Sequence, residues 1–353
     1  MKPVGGRATP YLAVDVARLR RNIGAMARWA AERGIALRPH VKTHKCAEIA
    51  RLQLRAGAVG ITVATLGEAE VFADAGCRDI FVAYPLWPVQ RRLARLVELS
   101  AQTTLRVGID SVEAARGLAR AGDRVGVLIE VDSGHHRTGV PPADAGALAA
   151  AATRSGLTVS GVFTFPGHSY HPDGRARAAA DEARALATAA AALREVGVDP
   201  VTISGGSTPS IDSADTSVLT EARPGVYAFG DAQQWALGAT TPDRIALTCV
   251  ATVVSHAGGR AVVDSGSKIL GADRPPYVPG FGRVLDHPDA VIGQLSEHHA
   301  VIEFPAGPLP ALGSTVAVVP NHVCSAVNLV DSLVAEEERE TREWRVAARG
   351  CNS

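Results

Sequence analysis

The stretch Leu37-Arg38-Pro39-His40-Val41-Lys42-Thr43-His44-Lys45 places a lysine at the end of a strand-like run and surrounds it with basic side chains. A lysine amine attacks a carbonyl only when unprotonated, and a pocket that desolvates it or holds other cations nearby favours that form. Arg38, His40, His44 and Lys45 would supply such a neighbourhood, which makes Lys42 a candidate Schiff-base lysine. The plain alternative is a basic surface loop, the usual fate of a lone lysine. A second pattern weighs against it. In Ser204-Gly205-Gly206-Ser207-Thr208 the glycines would let the backbone approach an anion while two hydroxyls donate to it. The amide of Gly225 in a neighbouring loop would complete a phosphate cup. A lysine paired with such a cup suits a phosphorylated aldehyde.

These residues need a scaffold that brings distant loops together. From about residue 10 to 230, short β-branched runs (IALRPHV, GITVA, DIFVAY, TTLRVGI, VGVLIEV, LTVSGVFTF, VTIS, GVYAF) alternate with segments of helical period such as LGEAEVFADAG and VQRRLARLVELS. Eight such units predict an α/β fold, a (β/α)8 barrel over residues 10–235. A doubly wound sheet is the rival, but no GxGxxG follows the first strand. Beyond DAQQWALGATTPDR the helical period gives way to β-rich runs with Gly/Pro turns, which predicts a smaller C-terminal all-β domain over residues 236–353, with residues 1–9 packed against it. The alanine-rich stretch 176–192 reads as one barrel helix, and the charge run Glu336–Glu343 as a solvated hairpin turn or edge.

Composition narrows the partners. Of 353 residues 46% are hydrophobic and 20% charged, and Lys+Arg and Asp+Glu both total 36, so no basic face is offered to nucleic acid or an anionic membrane. The start of the chain lacks the apolar core of a signal peptide and no run is long enough to span a bilayer, so the expected location is cytoplasmic. Five cysteines without CxxC spacing argue against a disulfide framework.

Polar clusters fall where barrel strands should end: Asp132-Ser-Gly-His-His-Arg137, Pro166-Gly-His168-Ser-Tyr170-His171, the Ser/Gly turn, and Arg223-Pro-Gly225-Val226-Tyr227. Further on, His322-Val-Cys324 puts an imidazole and a thiol two residues apart, on the same side of an extended chain, where both could bind one ion. Two protein ligands would leave positions for water and substrate, as in a catalytic site, and thiolate with imidazole favours zinc over manganese or magnesium. Glu297, His298 and His299, read as part of a strand in the same domain, are candidates to support that ion.

Taken in order, RPHVKTHK, VATLGEAE, DSGHHRTGV, FPGHSYH, SGGSTP, RPGVYAFGDAQQ, VDSGSK, SEHH and PNHVC resemble the fold-type III pyridoxal-phosphate (PLP) enzymes, in the branch of D-serine dehydratases, D-threonine aldolases and D-3-hydroxyaspartate lyases. The resemblance implies Lys42 as the Schiff-base lysine and Arg137 as the hydrogen-bond donor to the cofactor's phenolic oxygen. It also implies Ser207, Thr208, Gly225 and Val226 at the phosphate, with Tyr227 beside them, and Tyr170 and His168 on the substrate side, His168 as a catalytic base. Arg223 stands where related racemases hold an arginine against the pyridine nitrogen. The His-x-Cys pair would hold a divalent ion, and the protein would be a homodimer acting on a small D-amino acid. PLP and the ion together could drive β-elimination from a D-3-hydroxy amino acid or its retro-aldol cleavage, and the cysteine ligand tilts the reading to the dehydratase. A racemase of the same fold would leave the ion without a role, and a non-catalytic PLP carrier would lack the β domain.

Overall fold

The computed structural model describes residues 7–338 and 340–353. Short β-branched strands need cover on both faces, and the chain provides it by alternating them with amphipathic helices. In order these are β1 (Tyr11–Asp15), α1 (Val16–Glu32), β2 (Ala36–Leu37), α2 (Ala47–Arg55), β3 (Ile61–Val63), α3 (Leu66–Asp74), β4 (Asp79–Pro85) and α4 (Gln90–Ser100). There follow β5 (Thr104–Ile109), α5 (Val112–Leu118), β6 (Val125–Glu130), α6 (Ala145–Arg154), β7 (Val159–Phe163), α7 (Arg175–Glu195), β8 (Thr202–Gly205) and β9 (Glu221–Ala222). Local signals start the helices: Thr65 accepts the Glu68 amide while the Glu68 carboxylate takes the amide of Ala64, and Ser111 accepts from Ala114. Each such cap contributes about 1 kcal/mol.

β2 to β9 form one parallel sheet in the order β2-β9-β8-β7-β6-β5-β4-β3, and the parallel bridge between His40 and Thr62 closes it into a ring. This is the expected (β/α)8 barrel. Its interior is packed solid around Phe81, Leu128 and Phe163, each 1% exposed, with the two phenyl rings edge-to-face at 4.9 Å. Gly108 makes room for them, since a Cβ there would sit 2.6 Å from the tip of Phe163. Truncating Phe163 to alanine should cost about 3–5 kcal/mol. The eighth strand falls earlier than expected. It is Glu221–Ala222, and the run Gly225–Phe229 instead holds a 3-10 turn at Val226–Ala228. Pro224, which has no amide to give a ladder, ends the strand before that apolar run begins.

The β-rich part contains α8 (Ala232–Ala236), β10 (Leu247–Ser255), β11 (Ala261–Val263), α9 (Ser267–Leu270), β12 (Arg283–Val284), β13 (Val291–Leu295) and β14 (Ala300–Glu303), then β15 (Thr315–Val319), α10 (Val323–Val327), β16 (Ser332–Glu337) and β17 (Glu340–Arg345). The chain's first strand belongs to this sheet: β1 lies between β10 and β16 and shares backbone hydrogen bonds with both. Beside the expected division at 10–235 and 236–353, the compact units of the chain are built from interleaved segments. One compact unit takes residues up to Ala25, Thr43–Ile49 and Val226–Arg349, and the other Met26–Lys42, Ala50–Gly225 and Gly350–Ser353. Thr9 bonds Thr252 and Asp264 of the first unit, while residues 1–6 of the expected 1–9 contact lie outside the described residues. The charge run is the β16–β17 hairpin, closed by the pair Glu337 and Glu340, with Arg339 outside the described residues. No helix among the described residues is long and apolar enough to cross a membrane.

Candidate active site

Barrel strands deliver their C-terminal ends to one face, where the following loops converge. β2 runs through His40 into a 3-10 turn at Val41–Thr43 whose middle residue is Lys42. The Lys42 Nζ lies 5.8 Å from the centroid of the Phe165 ring, and the Arg137 guanidinium 5.3 Å from the same centroid. Tyr170 lies 6.4 Å from that ring, and His135 packs edge-on to it at 5.5 Å. A single phenyl ring beyond β7 thus gathers the lysine after β2, the arginine after β6 and the tyrosine after β7. Phe165 and His135 lie within FPGHSYH and DSGHHRTGV, but nothing in those motifs assigns either side chain this role.

His40 shows what this neighbourhood does electrostatically. Burial, followed by the charges of Lys42, Arg223 and Arg137, drives its imidazole well below the usual pKa, so the ring is neutral near pH 7. Its Nδ1 is buried and has no hydrogen-bond partner among the described residues. An orphaned ring nitrogen among three cations fits a pocket completed by an anionic, hydrogen-bonding ligand. The cations differ from those expected. Arg38 is 2% exposed and donates to Glu221 (2.6 Å) and Asp79 (2.7 Å); burial opposes its charge, yet the two carboxylates hold its pKa above the ordinary value. Lys45 donates to Asn328 at 2.8 Å, and His44 Nδ1 accepts the Cys46 amide, both within the β-rich unit. Of the four expected neighbours, His40 is the one seen to feel the charge of Lys42 among the described residues. Arg137 and Arg223, remote in sequence, supply the rest.

Arg223 is rooted in the barrel interior. Its Nε donates to Ser204 Oγ at 2.8 Å, Nη2 donates to the Thr164 carbonyl, and its guanidinium lies over Phe163 and Phe81. Burial lowers its pKa, with Glu221, Glu182 and Glu130 acting against that.

The Ser/Gly turn after β8 is built as a cup. Gly206 has φ 82°, a conformation that glycine adopts without strain. Ser207 and Thr208 are 3% and 8% exposed, and the Ser207 hydroxyl lies within 2.9 Å of Ser169 Oγ and 2.7 Å of Ser210 Oγ. The amides of Ser207 and Gly225 donate to no backbone carbonyl among the described residues, which leaves them for an anion. Val226 and Tyr227 are buried in the 3-10 turn that follows and belong to the β-rich unit. His168 is held differently from a free base: its Nε2 lies 3.3 Å from Asp181 Oδ2 on α7, a carboxylate that also pairs with Arg177 and Arg184.

In the β-rich unit, His322 and Cys324 meet by a route other than the extended chain. His322 has extended backbone (φ −130°, ψ 106°) and caps α10, while Cys324 sits in the first turn of that helix. The helix start turns the thiol back beside the ring. Cys324 is the largest influence pushing the His322 imidazole up to about 11, ahead of Asp231 and against the effect of burial. Asp231, wholly buried, stands 3.5 Å from His322 Nδ1. Its Oδ1 accepts the Gln234 amide and caps α8, and its Oδ2 accepts the Val323 amide at 3.2 Å and so ties down the start of α10. At 3.5 Å from that carboxylate, His322 Nδ1 is buried and makes no hydrogen bond among the described residues, so Asp231 acts on the ring through its charge. The donor set fits a soft divalent ion such as zinc, and no group of three or more His, Cys, Asp or Glu joins it among the described residues. Glu297, His298 and His299 are exposed at the turn between β13 and β14 and not within a strand. The Ser296 amide donates to the His299 carbonyl to close that turn, and Glu297 pairs with Lys268 at 3.6 Å.

Comparison with known proteins gives these two sites a context. Residues 14–233 match the alanine racemase N-terminal domain family and residues 246–335 the serine dehydratase domain family. The chain is 35% identical over 347 residues to D-threo-3-hydroxyaspartate dehydratase of Delftia sp. (strain HT23), covering 90% of this chain and 91% of that one. It is 34% identical to D-threonine aldolase of Arthrobacter sp, over 99% of this chain and 94% of that one. Among solved structures, a cysteine-to-alanine variant of D-threo-3-hydroxyaspartate dehydratase in the metal-free form matches with a TM-score of 0.90 at 32% identity, over 96% of this chain and 97% of the other. A histidine-to-alanine variant of the same enzyme, altered two positions earlier, matches with the same score and identity over 98% and 96%. With its barrel and its β-rich part each matched by one of the two domains, and full-length relatives above 30% identity, the chain belongs to the fold-type III family of D-threonine aldolases and D-threo-3-hydroxyaspartate dehydratases.

Proposed function

We propose that this protein is a PLP- and divalent-metal-dependent lyase that eliminates water from D-3-hydroxy amino acids, giving a 2-oxo acid and ammonia. The observation that carries the reading is the His322–Cys324 pair backed by Asp231. Its spacing equals that of the histidine and cysteine altered in the dehydratase variants, one of which is metal-free. The cation-rich mouth around Lys42, with the Ser207 cup, supports PLP as the second group. When bound, PLP supplies an electron sink for the pair left at Cα, and the ion supplies a Lewis acid for the β-oxygen.

The chain's own residues do the remainder. Lys42, once its amine is free, takes the Cα proton and the β-hydroxide departs. The unsaturated amine that is released takes up water and gives the 2-oxo acid with ammonia. Arg137 would donate to the phenolic oxygen of PLP, and Ser207 and Thr208 would hold its phosphate. His168, oriented by Asp181, is the base that would remove the β-hydroxyl proton if the Cα–Cβ bond were cleaved instead. The proposal includes a homodimer, which light scattering of the purified protein checks.

The deciding assay incubates the protein with D-serine, D-threonine and D-threo-3-hydroxyaspartate and measures 2-oxo acids, ammonia, glycine and aldehydes. Formation of 2-oxo acid with equimolar ammonia is expected. Glycine with an aldehyde as the main products would replace elimination by retro-aldol cleavage. Faster turnover of the L isomers would sink D-specificity, and equal label exchange from both enantiomers in deuterated water would indicate a racemase.

A further inference from the structure

Most carboxylates on the barrel's outer helices face solvent, but Glu182 of α7 points inward. It is 1% exposed, and its Oε1 accepts the amide of Gly206 at 2.7 Å. Oε2 is buried with no hydrogen-bond partner among the described residues. A lone buried carboxyl is destabilising, so its retention calls for a reason. The reason lies in the turn it supports. A Cβ on Gly205 would sit 2.4 Å from Glu182 Oε1, so the carboxyl fills the space a side chain would take. With φ at 82°, Gly206 turns its own amide onto Glu182, while the next amide, that of Ser207, meets no backbone carbonyl among the described residues. Successive amides in such a turn form a concave anion-binding nest, and an acceptor underneath fixes which of them face outward.

We propose that Glu182 is a positioning residue for the cofactor phosphate: by holding the Gly206 amide from beneath, it sets the Gly205-Gly206-Ser207 turn in the shape that presents Ser207 and Thr208 to the anion. The inference rests on the PLP reading given above and deepens it. Burial raises the Glu182 carboxyl to about 7, with the Gly206 bond and Arg223 acting against that, so a neutral form that does not repel phosphate is within reach near neutral pH. Neutral glutamine would keep the acceptor oxygen.

The test titrates the full chain with PLP and with pyridoxal, the same aldehyde without phosphate, following the visible absorbance. Glu182→Ala should weaken PLP roughly ten- to a hundredfold, the effect of losing an anchored anion contact, while pyridoxal stays within about threefold. Glu182→Gln should keep PLP binding within about threefold. Equal weakening of both aldehydes by Glu182→Ala would assign Glu182 a merely structural role, and unchanged PLP binding would refute the inference. If the alanine variant does not fold, Glu182→Met fills the same volume without an acceptor and carries the same expectation. Ser207→Ala with Thr208→Val separates the two levels. Loss of PLP selectivity in that variant alone refutes only the role of Glu182. No selectivity change in either variant refutes the phosphate site itself.

Discussion

The mouth of the barrel and the turn after β15 collect charge of opposite sign, and a histidine in each reports the difference. Around His40 stand Lys42, Arg137 and Arg223, and burial with those cations keeps its ring neutral. Around His322 stand Cys324 and Asp231, which drive the ring the other way, up to about 11. One side chain type, placed in two environments, is held neutral beside cations in one and has its protonated form favoured beside a cysteine and a carboxylate in the other. The construction also differs. The barrel cluster is assembled from the ends of several strands, whereas the His322–Cys324 pair is local, two residues of one turn beside one remote carboxylate.

Changes in the two regions should separate cofactor from metal. Lys42→Ala should remove the visible absorbance of bound PLP and lower turnover by roughly a thousandfold or more, with metal content unchanged. A variant that kept the band would show that another lysine carries the cofactor. Cys324→Ala or His322→Ala should do the reverse, keeping the band, losing the ion and lowering turnover by roughly a hundredfold. Metal analysis beside the spectrum reads both halves at once, and Cys324→Asp should retain a site with a preference moved toward manganese or magnesium.

A smaller effect tests Asp231. Asp231→Asn should weaken metal binding by roughly ten- to a hundredfold, because the imidazole loses the carboxylate charge beside it. It should also lower thermal stability by about 1 kcal/mol, because Oδ1 still caps α8 but the amide nitrogen that replaces Oδ2 cannot accept the Val323 N–H. Lower stability with unchanged metal affinity would reduce Asp231 to a helix cap.

The smallest effects are in pH dependence. A histidine held neutral in the fold takes up a proton in the unfolded chain below the ordinary 6.5, so its contribution to stability is present above that value and is lost as pH falls. His40→Asn should flatten the acid side of a stability profile measured by denaturation. Glu130 and Glu182, raised by burial to about 7 from 4.5, act in the opposite sense. The folded chain keeps their protons longer, so stability should decline as pH rises from 4.5 through 7, and Glu182→Gln should remove part of that decline.

Much of the barrel was legible from alternation alone, because β-branched strands and alanine- and leucine-rich helices differ in period. The eighth strand was not, since Gly225–Phe229 carries the stronger β composition while Glu221–Ala222 carries almost none. Backbone pairing with β8 and β2 decides that case, and a two-residue strand leaves little mark on composition. Lys42 and the Ser207 turn stand out in the sequence by residue type and position and the His322–Cys324 pair by its spacing, whereas Arg137 is marked only by the resemblance of its motif to the family. The geometry of the His322–Cys324 pair was misread: a helix start, not an extended chain, brings the two donors together.

By itself the sequence determined the order of elements, the lysine and the Ser/Gly turn at strand ends, and the soft donor pair, because these depend on residues that are neighbours along the chain. Only the tertiary structure decided which charges face each other. Closure of β2 onto β9 and β3 draws Arg38 to Glu221 and leaves Arg137 and Arg223 as the cations of His40. Packing of α7 on the barrel carries Glu182 under Gly206 and Asp181 to His168. The docking of α8 against the start of α10 sets Asp231, 92 residues before Val323, beside the His322 ring. Such pairings follow from which surfaces bury each other, and no local spacing encodes that.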